Sequence, residues 1–283
     1  MLVLRAPAKI NWCLYVLGKR PDGYHEIWSV MQKISLYDTL QIKILDKDQI
    51  SVVVEPDIEV KPEENLVYRA AELLKEYTGF KGGARIYVKK EIPLQAGLGG
   101  GSTDAAYTLM GLNRLWGLGL GRAELINIGA EIGSDVPFFF TDSIAVVSGR
   151  GETVEPIKGK PEKRLLLIVK PGFGMSTKRA YQLVKPTSLS DKRKLEIIEK
   201  IIDKDLQNLA ACLRNDLEPG VIELHPVIKE IKIALTEAGA LGALMSGSGS
   251  AVFGLFRDHV DAAKAMEKLT PEYWCKIVET IVG

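Results

Sequence analysis

The chain has 283 residues, 46% of them hydrophobic and 26% charged, with 37 basic against 36 acidic side chains and a net charge of +1. That length allows about two domains whose cores are large enough to stand without staples, and the balanced charge gives no global pull toward nucleic acid or an anionic membrane. Cys13, Cys212 and Cys275 lie far apart and form no CxxC pair, so they read as buried thiols of a reducing compartment, not as a disulfide framework or a zinc site. His25, His225 and His259 show no ligand spacing either. No apolar run approaches the roughly 20 residues of a membrane helix. The short run Trp12 to Leu17 continues into Gly18-Lys19-Arg20 without a small-residue cleavage site, and it reads as a strand rather than a signal peptide. The expectation is a cytoplasmic protein, a monomer or weak homodimer, with no membrane or nucleic-acid partner.

In chain order, 2–5 and 10–17 are expected as two strands separated by Ala6-Pro7-Ala8-Lys9, with a turn at Pro21-Asp22-Gly23. β-rich runs follow at 28–36, 40–45 and 50–54. Asn65 is placed to cap a helix through Tyr77, with Leu66, Ala70 and Leu73 or Leu74 on one face. A strand over 85–92 leads through a glycine loop into a helix over 103–116. Gly117, Gly119 and Gly121 read as an interhelix linker, a further helix covers 123–132, Phe138 to Phe140 belong to the core, and 144–148 is a strand. Composition shifts to Lys, Pro and Gly over Pro156 to Lys163, which divides the chain into expected domains 1–160 and 161–283. The second half offers a strand at 165–169, a helix near 178–184, and a charged stretch over 185–204 that reads as a solvated helix or excursion. Helices near 205–213 and 227–238 follow. Strands 241–245 and 251–256 form a hairpin around Ser246-Gly247-Ser248-Gly249-Ser250, and a helix at 258–268 and a strand at 273–281 end the chain. Strands and helices around an antiparallel sheet make this α+β.

The stretch Pro93 to Ala106, PLQAGLGGGSTDAA, sets four glycines within five positions between a strand and a helix start. Glycines let backbone N–H groups approach a ligand, and a helix start adds unpaired donors and a positive dipole end. Pro93, Leu94, Gln95, Ala96, Gly97, Leu98, Gly99, Gly100, Gly101, Ser102 and Thr103 are therefore the candidates to hold phosphate. A glycine-rich turn with no ligand is the plainer alternative. The loop fails the Walker pattern, because Gly101 is followed by Ser102 and no lysine. It fails the dinucleotide fingerprint, which needs a glycine at 102 and a second strand with an acidic residue about twenty positions on. No HRD or DFG string accompanies it, which excludes the protein-kinase set.

Three segments in order, Ala6-Pro7-Ala8-Lys9-Ile10-Asn11, the glycine loop, and Gly242 to Gly254 reading GALMSGSGSAVFG, resemble the three motifs of the GHMP kinases. The resemblance implies a two-domain fold, an N-terminal ribosomal-protein-like α/β domain followed by a ferredoxin-like α+β domain. It also implies ATP and Mg²⁺ as cofactors, the metal's ligands unassigned, and phosphoryl transfer to an alcohol. It makes Lys9 and Asp135 the catalytic pair. Taken alone, Lys9 reads more readily as a solvated surface lysine and Asp135 as a helix-capping aspartate; with the motifs the catalytic reading prevails. A cation beside Asp135 would keep it ionised, so it is expected to orient the hydroxyl and accept its proton late, with Lys9 stabilising developing charge.

Gly23-Tyr24-His25-Glu26 and Gly133-Ser134-Asp135-Val136-Pro137-Phe138-Phe139 narrow the resemblance to the branch that phosphorylates the 2-hydroxyl of cytidine-diphosphate methylerythritol on the non-mevalonate isoprenoid route. By that resemblance Tyr24, His25 and Tyr181 are candidates to face the cytosine, and Asn11 to touch the methylerythritol end or orient Lys9. Trp12, Cys13, Thr103 and Ser134 depart from the branch pattern without removing a group the chemistry needs. Competing readings are a homoserine or mevalonate type of kinase, a non-catalytic nucleotide or sugar sensor, and an RNA-binding module. Tyr24-His25 weighs against the first, Lys9 with Asp135 against the second, and the near-zero net charge against the third.

Overall fold

A computed structural model of the chain describes residues 1–57, 60–159 and 161–282. Lys160 and Gly283, the last residues of the two expected domains, lie outside the described residues. In chain order the elements are β1 (Leu2–Lys19), β2 (His25–Leu45), β3 (Ile50–Glu55), α1 (Leu66–Thr78), β4 (Gly83–Lys89), α2 (Gly100–Trp116) and α3 (Arg122–Ile132). A 3-10 turn at Pro137–Phe140 leads to β5 (Ile144–Gly149), β6 (Thr153–Pro156), β7 (Leu165–Lys170), α4 (Thr177–Gln182), α5 (Asp191–Ile202), α6 (Leu206–Ala210) and β8 (Arg214–Asn215). The chain ends with α7 (Glu218–Leu224), α8 (Val227–Glu237), β9 (Gly242–Met245), β10 (Val252–Phe256), α9 (His259–Leu269) and β11 (Trp274–Glu279). None of the described helices is long and apolar enough to cross a membrane.

The chain forms two compact units that alternate along the sequence. The first comprises residues 1–8, 36–93 and 99–141. In it the later part of β2 pairs antiparallel with β4 (Thr39 opposite Lys89 through Leu45 opposite Gly83), and β3 lies parallel on the far side of β4. Asn65 caps α1 as expected, its side chain accepting from the Val67 N–H at 2.9 Å, and Gly79 ends the helix in the left-handed region. α2 runs against the strands at Gly111, where a Cβ would lie 2.5 Å from Ile42 Cδ1 and 3.0 Å from Leu4 Cδ1. Gly129 of α3 admits Val136, and Phe138, Phe139 and Phe140 are buried as anticipated.

The second unit comprises residues 9–35, 94–98 and 142–283. Here the early part of β2 pairs with β5, β5 with β6, and β8 lies parallel to β1 at Cys13 and Leu14. β7, β9, β10 and β11 make an antiparallel sheet in the order β11-β7-β10-β9. β7 is buried at every residue. Ile228, Ile231 and Leu235 of α8 and Ala262, Ala265 and Leu269 of α9 belong to the same core as Leu167, Val169 and Val252. The charged 185–204 stretch contains α5, whose Ile197 and Ile201 are buried while its Lys and Glu side chains face water. Cys13 and Cys212 are buried free thiols and Cys275 is half-buried.

Two expectations are corrected. The two N-terminal strands are one, β1, running through Pro7. Among the described residues β8 reaches β1 only at Cys13 and Leu14, so no β8 ladder bond is asked of Pro7, which has no N–H to give. The runs at 28–36 and 40–45 are likewise a single strand. Asp38 made the sequence look interrupted, yet it sits on the inward face with its charge met by Lys90 and by the N–H groups of Glu91 and Ile92.

Gly83 opens β4 where a Cβ would lie 2.1 Å from the Lys47 carbonyl oxygen and 2.5 Å from that of Gln49. Relief requires backbone movement. Gly83→Ala is expected to lower stability by about 1–3 kcal/mol in urea titration; an unchanged midpoint would refute this packing.

Candidate active site

The glycine loop has two chemically different sides. Its carbonyl side is spent on the protein. The Gln95 carbonyl accepts from the Met175 and Ser250 N–H groups at 3.1 and 3.2 Å, and the Ala96 carbonyl from the Ala251 N–H at 3.1 Å. The Gly97 carbonyl accepts from the Ser246 hydroxyl at 3.0 Å, and the Leu98 carbonyl from the Lys9 N–H at 2.9 Å. Four successive carbonyls are thus held by β1, the β7–α4 connection and the 246–251 loop. The N–H side is open. Gly99 precedes α2 at φ 74° with no side-chain cap, and the Thr103 N–H is the first to find a helical acceptor, the Gly99 carbonyl at 2.9 Å. The N–H groups of Gly100, Gly101 and Ser102 have no helical acceptor and face whatever binds there, at the positive end of a 17-residue helix. This donor set suits phosphate oxygens. Pro93 is half-buried and Leu94 half-exposed, and Thr103 is buried with its hydroxyl unpartnered.

Lys9 is only 2% exposed. Its Nζ donates to Asn11 Oδ1 at 2.8 Å, Asn11 Nδ2 donates to the Ser29 hydroxyl at 2.8 Å, and that hydroxyl donates to the Cys13 carbonyl at 2.6 Å. A buried chain of hydrogen bonds therefore fixes the amine, with Asn11 orienting it. Gly247 covers the pair: a Cβ there would lie 3.1 Å from Lys9 Nζ and 3.4 Å from Asn11 Oδ1. Asn215, which sequence reading passed over, holds this cover. Its Nδ2 donates to the Met245 and Gly247 carbonyls at 2.8 and 2.7 Å, and its Oδ1 accepts from the Leu217 N–H at 3.0 Å. Trp12, one of the unusual residues, is satisfied by Gln32 Oε1 at 2.7 Å and packs edge-on against Phe253.

Asp135 is half-buried in the turn that follows α3, where the Val136 N–H closes on the Gly133 carbonyl at 3.1 Å. His25 and Tyr181, 156 positions apart, are brought together with ring centroids 5.2 Å apart and planes tilted by 31°. Tyr24 is 51% exposed, with the Arg150 guanidinium 5.2 Å over its ring. Burial, with a smaller push from the Lys19 charge, lowers the His25 pKa below the ordinary histidine range, so its imidazole is neutral at pH 7.

The family comparisons agree with this architecture. Residues 65–143 match the GHMP kinases N-terminal domain and residues 197–274 the GHMP kinases C-terminal domain. The chain belongs to the GHMP kinases, and the two-domain GHMP-kinase fold expected from its motifs is the one it has. Within them it is 48% identical to the 4-diphosphocytidyl-2-C-methyl-D-erythritol kinase of Thermodesulfovibrio yellowstonii, over 100% of this chain and 99% of that one. It is also 48% identical to the enzyme of that name from Pelotomaculum thermopropionicum, over 89% and 88%. A crystal structure of a 4-(cytidine 5'-diphospho)-2C-methyl-D-erythritol kinase superposes with a TM-score of 0.84 at 32% identity, covering all of both chains. The homoserine kinase of Cytophaga hutchinsonii, at 19% identity and TM-score 0.77 over 99% and 94% of the two chains, shares the fold.

Gly97→Ala tests the loop. At φ +73° its Cβ would fall 1.9 Å from the Ser246 carbonyl oxygen, whereas at Gly119, φ +69°, a Cβ meets nothing within 4 Å. Both variants carry the same backbone strain. We expect Gly97→Ala to raise the ATP KM about tenfold or more and Gly119→Ala to leave it within about twofold; equal effects would show that strain, not the close approach, is responsible.

Proposed function

We propose that this chain transfers the γ-phosphoryl group of ATP to the 2-hydroxyl of 4-diphosphocytidyl-2-C-methyl-D-erythritol, on the non-mevalonate route to isoprenoid precursors. The observation that carries the phosphoryl chemistry is the uncapped start of α2, with three backbone donors behind a glycine loop whose carbonyls are already engaged. The choice of acceptor rests on the names of the relatives that match the whole chain.

Residues 93–103 hold the nucleotide phosphates. The acceptor oxygen forms the new bond to the γ-phosphorus, the bond to the bridging oxygen of ADP breaks, and the hydroxyl proton passes to Asp135. Lys9, held by Asn11, stabilises the charge that develops during transfer. Tyr24, His25 and Tyr181 take the cytosine, base–aromatic stacking supplying about 1–3 kcal/mol. Magnesium would arrive with ATP, with the Ser102 or Thr103 hydroxyl as the candidate protein ligand, and would supply neutralisation of phosphate charge. Among the described residues no group of three or more His, Cys, Asp or Glu is placed to hold a metal. The reading keeps 1–160 and 161–283 as the two domains: β7 and β9–β11 of the second pair among themselves, while its short β8 joins β1 of the first. It also keeps a cytoplasmic monomer or weak homodimer.

ADP release with cytidine-diphosphate methylerythritol, homoserine and mevalonate in parallel tests the assignment; turnover confined to the first is expected, and better turnover with either other acceptor would sink it. Asp135→Asn is expected to lower kcat about 10²–10⁴-fold with little change in the ATP KM, and a pure KM effect would remove Asp135 from the chemistry. Because His25 stays neutral to a lower pH than an ordinary histidine, the KM for the cytidylyl substrate should be flat from pH 8 down through neutrality. It should rise only in more acidic buffer, and His25→Gln should abolish that rise. A KM that climbs as pH falls from 8 to 7 would contradict the neutral ring.

A further inference from the structure

Beside the start of α2, in the same unit, lies a buried charge group that none of the roles above uses. Lys90 Nζ donates to Asp38 Oδ2 and, at 2.6 Å, to Asp104 Oδ2. All three side chains are almost completely buried. A Cβ on Gly100, the first residue of α2, would lie 3.2 Å from this amine. Two carboxylates on one ammonium leave an excess negative charge when both are ionised, and an unbalanced charge out of water is costly.

The two carboxylates are not equivalent. Asp38 Oδ1 accepts from the Glu91 and Ile92 N–H groups at 2.6 and 2.9 Å, so both of its oxygens are satisfied as an anion. Asp104 has Lys90 on Oδ2, but its buried Oδ1 has no partner. A proton placed on Asp104 Oδ1 breaks no hydrogen bond and removes the excess charge. The charges acting on Asp104 are Lys90, beyond β4, and Asp38, on β2. On its own helix Thr108 Oγ1 donates to the Asp104 carbonyl, and the buried residues of α1 and α3 are all uncharged.

We propose that Asp104 takes up a proton when nucleotide phosphate binds at Gly99–Ser102, so that the Asp38–Lys90–Asp104 group passes from net negative to neutral beside the incoming anion. The inference rests on the nucleotide reading of the loop. Burial pushes Asp104 up to about 7, Asp38 adding to the rise and Lys90 opposing it. Lys90 itself loses charge stability by burial, but the Asp104 and Asp38 carboxylates outweigh that and raise it, so it stays cationic throughout. Phosphate arriving at the helix start adds negative charge and favours the protonated carboxyl further. By linkage the protonated form binds nucleotide more tightly, so affinity is fully present below the pKa of free Asp104 and falls as pH rises through that of the bound form.

The test is calorimetric titration of the whole protein with ADP at pH 7.5 in two buffers of different ionisation heat. A one-unit rise on binding gives an uptake of about 0.5 proton per ADP at Asp104, and close to tenfold weaker binding at pH 9 than at pH 6. Asp104→Asn, isosteric and permanently neutral, should lose that uptake and that slope; titration of ADP itself is common to both proteins and cancels in the difference. Asp38→Asn leaves one carboxylate per amine and should also lose the uptake at pH 7.5. Equal uptake in wild type and Asp104→Asn, or ADP binding without uptake in wild type, overturns the proposal and leaves the kinase reading standing. Absence of ADP binding at every pH overturns both.

Discussion

The constraint on which the site depends is the one-sidedness of the 95–98 backbone. A glycine loop left to itself samples many conformations, and a phosphate site built on it would lose affinity to ordering. Here the Gln95, Ala96, Gly97 and Leu98 carbonyls are all engaged, by segments as distant in sequence as Lys9 and Ala251. The peptide planes are fixed before any ligand arrives. The N–H groups that share those planes, on residues 96–99, therefore point away from these partners. The ordering cost is met in folding, through hydrogen bonds that β1, the β7–α4 connection and the β9–β10 hairpin need in any case.

The same segments set the lysine. The Lys9 backbone N–H holds the Leu98 carbonyl while its side chain enters the Asn11–Ser29 chain. Gly247 lies against the amine and, through Asn215, is tied to the end of β8. Ser246, one residue earlier, holds the Gly97 carbonyl. One hairpin loop therefore touches both the phosphate loop and the lysine, and neither can shift without disturbing it. This explains why that loop is built from serine and glycine. Serine hydroxyls reach backbone acceptors, and Gly247 and Gly249 both take positive φ with close neighbours, a Cβ at Gly249 falling 2.6 Å from Met245 Sδ.

Local features were legible in the sequence, and long-range polar partnerships were not. The Asn65 cap, the α2 start, the Gly117–Gly121 linker and the 242–256 hairpin each rest on residues within a few positions of one another, and hydrophobic period and turn chemistry found them. Asp38 misled because a polar residue on an inward strand face looks like a break unless its partner is known, and that partner is Lys90, 52 positions on. Asn215 was missed for the same reason: β8 is two residues long, and the carbonyls that need it are 30 and 32 positions away. No element is expected from the sequence over 218–224, where Pro219 and Gly220 weaken the helical pattern, yet α7 forms there, proline being well tolerated in the first turn of a helix.

The phosphate loop cannot choose the acceptor. The homoserine kinase of Cytophaga hutchinsonii and the mevalonate kinase of Methanococcus jannaschii, at 19% and 15% identity, superpose with TM-scores of 0.77 and 0.72, so a common frame serves enzymes named for unlike alcohols. What distinguishes one acceptor from another must lie in side chains that the frame does not require. In this chain the His25–Tyr181 pair meets that condition. Both rings are incompletely buried, and their approach joins the first residue of β2 to α4. A neutral imidazole packed against a phenol presents a flat, polarisable edge that suits a nucleobase and offers little to a small charged amino acid or hydroxy acid.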